Sequence, residues 1–170
     1  GVLEKFEKAW GTKLNPKEGT KATECFGKML TKEIRGLFIF GEDPVRTDPD
    51  TAHVIKALKN LDFLVMDELF LTETAKMADV VLPGRSYAEK EGTFSNTERR
   101  VQRIRKAVEI EGETKEDIWI FTEIMNRMGY PQPHLTSAQV MDEVASVTPS
   151  FAGISHERLD SEEVAGRGLQ

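Results

Sequence analysis

The chain has 170 residues, of which 39% are hydrophobic and 31% charged, and this balance indicates a soluble globular protein rather than a disordered chain. The formal net charge of −6 disfavours general binding to nucleic acid, and no apolar run is long enough to cross a membrane. The single cysteine, Cys25, excludes an internal disulfide and any iron–sulfur cluster or four-cysteine zinc site built from this chain alone.

Helical periodicity and short apolar runs alternate along the first half of the chain. Residues 2–10 predict a helix that ends at Gly11, and residues 22–35 predict a second helix. Three apolar runs follow, each ended by polar or turn-forming residues, which is typical of buried parallel strands. The runs are 37–40, 63–66 and 79–82.

Two more helices are predicted between these strands. Asp48-Pro49-Asp50 can begin a helix that precedes the second strand. Thr72 can cap a short helix over residues 73–77, before the third strand.

The second half of the chain has one ambiguous segment and two clear helical patterns. The apolar spacing of residues 93–110 suits either a helix or a bulged, half-exposed strand, and the pattern does not separate the two. Residues 114–128 predict a helix that ends at Gly129, and residues 138–147 predict another that stops before Pro149.

These elements together predict an α/β fold, a three-layer domain with a mainly parallel sheet. We assign residues 2–152 to this domain and residues 153–170 to a loosely ordered tail. Open α/β sheets bind ligands at the carboxyl ends of their strands, so residues that follow the apolar runs are the first candidates for a binding site.

Polar residues follow each predicted strand. They are Gly41, Glu42 and Asp43 after the first strand, Asp67 after the second and Lys90 beyond the third. A carboxylate there can accept hydrogen bonds from a ribose or from the N1–H and N2–H2 edge of guanine, and a lysine can meet a phosphate or a purine oxygen. Ordinary turns and a solvated lysine are the plainer interpretation, and no Gly-x-Gly-x-x-Gly fingerprint is present. A metal site is disfavoured because no His or Cys accompanies the acidic residues.

A basic cluster stands out in this acidic chain, and it consists of Arg99, Arg100, Arg103, Arg105 and Lys106. A solvated face is its default interpretation, whereas docking to an acidic partner or to phosphates is also permitted. The three histidines lack metal-ligand spacing, and no Ser–His–Asp or Cys–His set can be assembled. The residues therefore predict a binding surface and no catalytic centre.

Several segments, in a fixed order, closely resemble the molybdopterin oxidoreductase family. They are GEDPVRTDPD (41–50), LDFLVMDELFLTETAKMADVVLP (61–83), YAEKEGTFSNTERRVQRIRKAVE (87–109) and GETKEDIWIFTEIMNRMGY (112–130). The resemblance is nearest to a central domain of the much longer catalytic (alpha) subunit of formate dehydrogenases. It implies a Rossmann-like domain that binds one of two molybdopterin guanine dinucleotides of a bis-MGD cofactor, which carries molybdenum or tungsten.

The resemblance also implies residue roles by position. Gly41, Glu42 and Asp43 match the strand-end motif that contacts the dinucleotide, and many family members carry Asn in place of Asp43. Asp67 matches an acidic residue near the guanosine. Lys90 matches a cofactor-contacting lysine that is His in other members.

Two further positions come from the resemblance alone. Asp117 matches an acidic residue that reaches the guanine edge, and Thr47 is a weaker match to a cofactor contact. No catalytic residue and no metal ligand is assigned to this chain.

The function implied is oxidation of formate to carbon dioxide by an intact enzyme. These 170 residues lack three parts of the family's enzymes: the cysteines of the [4Fe–4S] cluster, the Cys or selenocysteine metal ligand, and the carboxyl-terminal barrel. The chain alone is therefore expected to be inactive. The expected partners are the remaining domains of the same subunit and electron-transfer subunits. The expected location is the cytoplasm, and neither membrane insertion nor binding to nucleic acid is expected. Two alternatives stay open: a cofactor-free scaffold, as in an NADH:quinone oxidoreductase subunit, and another family enzyme such as nitrate reductase or formylmethanofuran dehydrogenase.

Overall fold

The computed structural model describes residues 1–110 and 112–161. Contacts within this part of the chain form two compact units. The first unit holds the described residues of Gly1–Lys17, Ser86–Glu111 and Phe121–Gln170, and the second holds Glu18–Arg85 and Gly112–Ile120. The sequence pattern predicts one domain over 2–152 and gives no sign of this division.

Helices and strands alternate in the order expected for an α/β chain. The helices are α1 (Val2–Trp10), α2 (Ala22–Leu30), α3 (Pro44–Thr47), α4 (Thr51–Lys59), α5 (Asp117–Arg127), α6 (Ser137–Val147) and α7 (His156–Asp160). The strands are β1 (Gly36–Phe40), β2 (Phe63–Glu68), β3 (Val80–Pro83), β4 (Gly92–Ser95) and β5 (Val101–Ile104). Single 3-10 turns lie at Ala75–Met77, Tyr87–Glu89 and Pro149–Phe151.

The second unit is built on a parallel sheet in the order β1-β2-β3. In the register of this sheet Phe40 lies beside Asp67, and Asp67 lies beside Leu82. Strand β2 continues past the predicted end at Met66 to Glu68, so Asp67 lies inside the strand. The predicted α/β class with a mainly parallel sheet is confirmed.

Apolar side chains from α2, α4 and the sheet form the core of the second unit. Met29 of α2, Val54 of α4 and Met66 of β2 are all fully buried there. Cys25 packs against this core as predicted, and burial raises the pKa of its thiol. Because side chains alternate along a strand, Asp67 points to the sheet face opposite Met66.

The first unit contains an antiparallel hairpin of β4 and β5, in which Gly92 lies beside Ile104. Its core consists of Val101, Met141, Ile154 and Leu159, all of which are buried. The strand interpretation of residues 93–110 is therefore correct for this hairpin, and the helical one is wrong. Among the described residues, no helix has the length and hydropathy needed to span a membrane.

Several element boundaries differ from the sequence prediction. The helix predicted over 22–35 ends at Leu30, because Lys32 adopts a positive φ of 62° that turns the chain. The helix predicted over 73–77 is only a 3-10 turn. Helix α7 lies in the segment predicted to be loosely ordered, and its Leu159 is 3% exposed. The rest of that prediction, residues 162–170, lies outside the described residues.

A buried threonine fixes the loop that follows β1. Thr74 is fully buried, and the Oδ1 atom of Asp43 accepts hydrogen bonds from both its backbone N–H and its hydroxyl. The Thr74 hydroxyl oxygen accepts in turn from the backbone N–H of Val45, at 3.1 Å. The Thr74 hydroxyl therefore contributes to holding the Gly41–Asp43 loop in place.

We expect Thr74→Val to destabilise the chain by about 1–3 kcal/mol, because it leaves the Val45 N–H and the Asp43 carboxylate without that hydroxyl. Thr74→Ser keeps the hydroxyl and is the matched control. Urea unfolding measures both variants. Equal stabilities for the valine and serine variants would show that the hydroxyl does not hold the loop.

Candidate functional site

The carboxyl ends of the parallel strands form one polar edge of the second unit. Backbone hydrogen bonds continue beyond the strands here: the Gly41 N–H donates to the Asp67 carbonyl at 2.9 Å, and the Gly84 N–H donates to the Glu68 carbonyl at 3.2 Å. Gly41 has a φ of 62°, a conformation that favours glycine, and this lets the chain turn sharply after β1. The strand ends are therefore held in register up to the point where the loops begin.

A segment distant in sequence joins this edge. Gly84 and Lys115 form an isolated parallel bridge, and the Lys115 N–H donates to the Pro83 carbonyl at 3.1 Å. Helix α5 begins just after this bridge, at Asp117. The pairing therefore brings Asp117 to the carboxyl end of β3.

Two carboxylates converge on Gly84. A Cβ atom built on this buried glycine would lie 2.6 Å from Oδ1 of Asp67 and 3.3 Å from Oδ1 of Asp117. Asp67 is only 2% exposed, whereas Asp117 is half-buried. Both side chains thus face the space that a side chain at position 84 would occupy.

This pair of carboxylates favours a ligand that donates hydrogen bonds. An ionised carboxylate only accepts hydrogen bonds, so a ligand that binds to this pair has to supply donors. The N1–H and N2–H2 groups of guanine present adjacent donors of this kind, so the residues fit a guanine base. Within the described residues, no group of three or more His, Cys, Asp or Glu side chains could hold a metal ion.

The remaining predicted residues of the second unit lie in the loop after β1 or next to it. Asp43 is half-buried, and its Oδ1 atom is engaged by Thr74. Glu42 and Thr47 are exposed, and the Thr47 hydroxyl donates to the Asp43 carbonyl at 3.2 Å. The contacts of Asp43 that the structure describes thus help to shape this loop.

Lys90 differs from the other predicted residues because it belongs to the first unit. It is half-buried and follows the 3-10 turn Tyr87–Glu89 in an extended conformation. Its contact with a cofactor stays a prediction.

Two residues that shape the site were missed at the level of sequence. The pair Pro83-Gly84 indicated a turn, and nothing local shows that Asp67 and Asp117 close on the glycine. Thr74 looked like one polar residue of a short helix. Both roles arise from contacts between segments far apart in the chain.

The second unit has a parallel sheet with polar residues at the carboxyl-terminal ends of its strands. This places it in the α/β class, whose members bind ligands at those strand ends. The sequence pattern of the molybdopterin oxidoreductase family matches residues 6–127. The chain belongs to this family, as its sequence motifs predicted.

Related proteins agree with this assignment. The chain is 49% identical over 156 residues to the F420-dependent formate dehydrogenase subunit alpha of Methanocaldococcus jannaschii, covering 91% of this chain and 23% of that protein. It is 45% identical over 158 residues to F420-dependent formate dehydrogenase 1 subunit alpha of Methanococcus maripaludis, covering 92% of this chain and 23% of that one. Among solved structures, acetylene hydratase from Pelobacter acetylenicus matches with a TM-score of 0.64 at 25% identity, over 92% of this chain and 22% of that one. The chain thus spans less than a quarter of the length of these relatives.

We expect Gly84→Ala to destabilise the chain by about 1–3 kcal/mol, because the new methyl group would overlap the Asp67 carboxylate. In an Asp67→Ala background the same change should cost much less, and urea unfolding of the four proteins of this double-mutant cycle measures the difference. Gly36→Ala is the matched control, since its Cβ would meet only the Phe63 carbonyl at 3.7 Å. An equal cost of Gly84→Ala in both backgrounds would contradict the close approach.

Proposed function

We propose that this segment holds the guanosine end of one molybdopterin guanine dinucleotide in the alpha subunit of a molybdenum or tungsten formate dehydrogenase. The observation that carries the proposal is the convergence of Asp67 and Asp117 on Gly84. Membership of the family implies a molybdopterin cofactor in the full enzyme. Identity of 49% to a formate dehydrogenase subunit supports formate as the substrate.

Each residue has a distinct part in this proposal. Asp67 supplies a carboxylate that is almost wholly shielded from water, and Asp117 supplies a second one at the start of α5. Charge-assisted hydrogen bonds from guanine to such carboxylates contribute roughly 1.5–3 kcal/mol each. Gly84 has no side chain, and this lets the Asp67 carboxylate lie close to its backbone.

The loop after β1 is proposed to contact the rest of the nucleotide. Gly41 allows the backbone to approach a ligand closely, and Asp43 is fixed by Thr74. Glu42 and Thr47 are exposed and available to polar groups of the nucleotide. Lys90 is proposed as an additional cofactor contact.

The chemistry of the whole protein would be oxidation of formate to carbon dioxide, which releases one proton and two electrons. When bound, a bis-MGD cofactor supplies a redox-active molybdenum or tungsten centre. This segment binds and orients one dinucleotide, and its residues transfer no proton in the reaction. The remaining domains, a [4Fe–4S] cluster and electron-transfer subunits complete the proposed enzyme.

The set of candidate residues also bears on the alternative of a cofactor-free electron-transfer scaffold. The chain has Asp43, Asp67, Lys90 and Asp117, which match cofactor-contacting positions of the family. A domain without a cofactor has no use for this set, so its presence supports a domain that keeps its cofactor.

We expect the chain to bind GMP weakly, with a Kd of roughly 0.1–10 mM, because other domains would form the rest of a closed site. GMP should bind more tightly than IMP, which lacks the N2 amino group, and more tightly than AMP, which lacks the N1–H donor. Titrations followed by amide resonances measure the three affinities. The largest shifts should come from residues around 41–47, 67, 84 and 117.

Substitutions separate this site from general nucleotide binding. Asp67→Ala and Asp117→Ala should each weaken GMP binding, whereas Lys28→Ala, a change on helix α2 away from the strand ends, should not. Equal affinity for GMP and AMP, or binding that is insensitive to both aspartates, would refute the proposed guanine site.

A further inference from the structure

A nearly buried arginine connects β5 to the last described helix of the first unit. The Arg103 side chain is only 9% exposed. Its Nη1 atom donates to the Gly92 carbonyl at 2.9 Å, and its Nε atom donates to Oδ1 of Asp160 at 3.2 Å. Its Nη2 atom lies 3.5 Å from Glu91. Arg103 is therefore held from the hairpin side and is not free to move away from α7.

The first residue of α7 faces the same guanidinium group. Nη1 of Arg103 lies 3.5 Å from Nε2 of His156. A guanidinium group has only donors, so it can donate a hydrogen bond to Nε2 of His156 only while Nε2 carries a lone pair, as in the neutral ring with its proton on Nδ1. Protonation of Nε2 would replace an acceptor by a donor and would place two positive charges side by side.

An apolar anchor holds the other side of α7. Leu159 is 3% exposed and packs with Val101, Met141 and Ile154. The Ser155 hydroxyl accepts from the Arg158 N–H at 3.1 Å and caps the helix. Among the described residues, helix α7 is thus attached by Leu159, by the polar contacts of His156 and Asp160 with Arg103, and by an ion pair of Asp160 with Nη2 of Arg105 at 2.5 Å.

We infer that the docking of α7 depends on pH: the helix stays docked on β5 while His156 is neutral and detaches when His156 is protonated. No ligand other than the proton is needed. Release would expose the apolar core residues that Leu159 now covers. The inference does not depend on the proposed guanine site, whose residues Asp67, Gly84 and Asp117 belong to the other unit.

The charges around His156 agree with this direction. Burial and the charge of Arg103 lower the pKa of His156 from its ordinary value of 6.5, while Asp160, Glu91 and Asp142 oppose the shift. Because docking lowers this pKa, docking is strongest above the ordinary value. Docking weakens as the pH falls below that value, until the pH reaches the pKa that His156 has in the docked state.

Methyl NMR of Leu159 in the full 170-residue chain tests whether α7 detaches between about pH 7.5 and pH 5.5, the range in which histidines titrate. The Leu159 methyl resonances should move toward free-chain positions as the pH falls. The docking equilibrium should change by up to about tenfold per pH unit, since one proton is involved. An unchanged Leu159 environment across this range would overturn the inference.

His156→Gln supplies an amide oxygen that can accept from Arg103 and cannot titrate, so its Leu159 resonances should be independent of pH. His134→Gln is the matched control, because His134 is an exposed histidine of the same unit that lies near Glu123, and it should keep the parent response. A pH response that persists in His156→Gln would assign the effect to carboxylates and would overturn the inference.

A direct titration covers the case in which His156→Gln does not dock at all. The imidazole resonance of His156 should titrate below 6.5 in the parent chain. In Leu159→Ala, which loosens α7, it should return toward the ordinary histidine value. An identical titration of His156 in both proteins would show that docking and protonation are not coupled, against the inference.

Discussion

The parallel register of β2 against β3 is the constraint on which the candidate site depends. It sets Asp67 beside Leu82 and lets the Gly84 N–H donate to the Glu68 carbonyl. A slip of one residue would turn Asp67 to the core face, where Met66 is now fully buried, and would expose Met66 instead. The apolar core of the second unit therefore fixes where the carboxylate points. The bridge from Gly84 to Lys115 adds the second acid to the same place.

The sequence predicted the strands well because their apolar runs are short and end at turn-forming residues. The sequence pattern placed Asp67 just beyond the end of the second strand. In the structure β2 continues through Asp67, and the side chain is buried. Asp117 followed only from family resemblance, since the pairing of Lys115 with Gly84 joins segments far apart in the chain. Val101 and Ile104 are spaced as in a helix, and only pairing with β4 makes them a strand.

The two units use different interactions to hold their functional elements. In the second unit, backbone hydrogen bonds and a buried threonine hold the loops beside the two aspartates. In the first unit, a nearly buried arginine accepts no hydrogen bond and so constrains the protonation of the histidine beside it. We propose that the first arrangement selects a ligand by its hydrogen-bond donors and that the second makes a helix sensitive to pH.

The content of guanine nucleotide in a full-length enzyme tests the central claim most directly. An alpha subunit that carries this segment would be purified as the parent and as the Asp67→Asn, Asp117→Asn and Lys28→Ala variants, and GMP released by acid hydrolysis would be measured per polypeptide. The account predicts that both aspartate variants fold but contain much less GMP than the parent, while Lys28→Ala retains the parent amount. Full GMP content in both aspartate variants would contradict it.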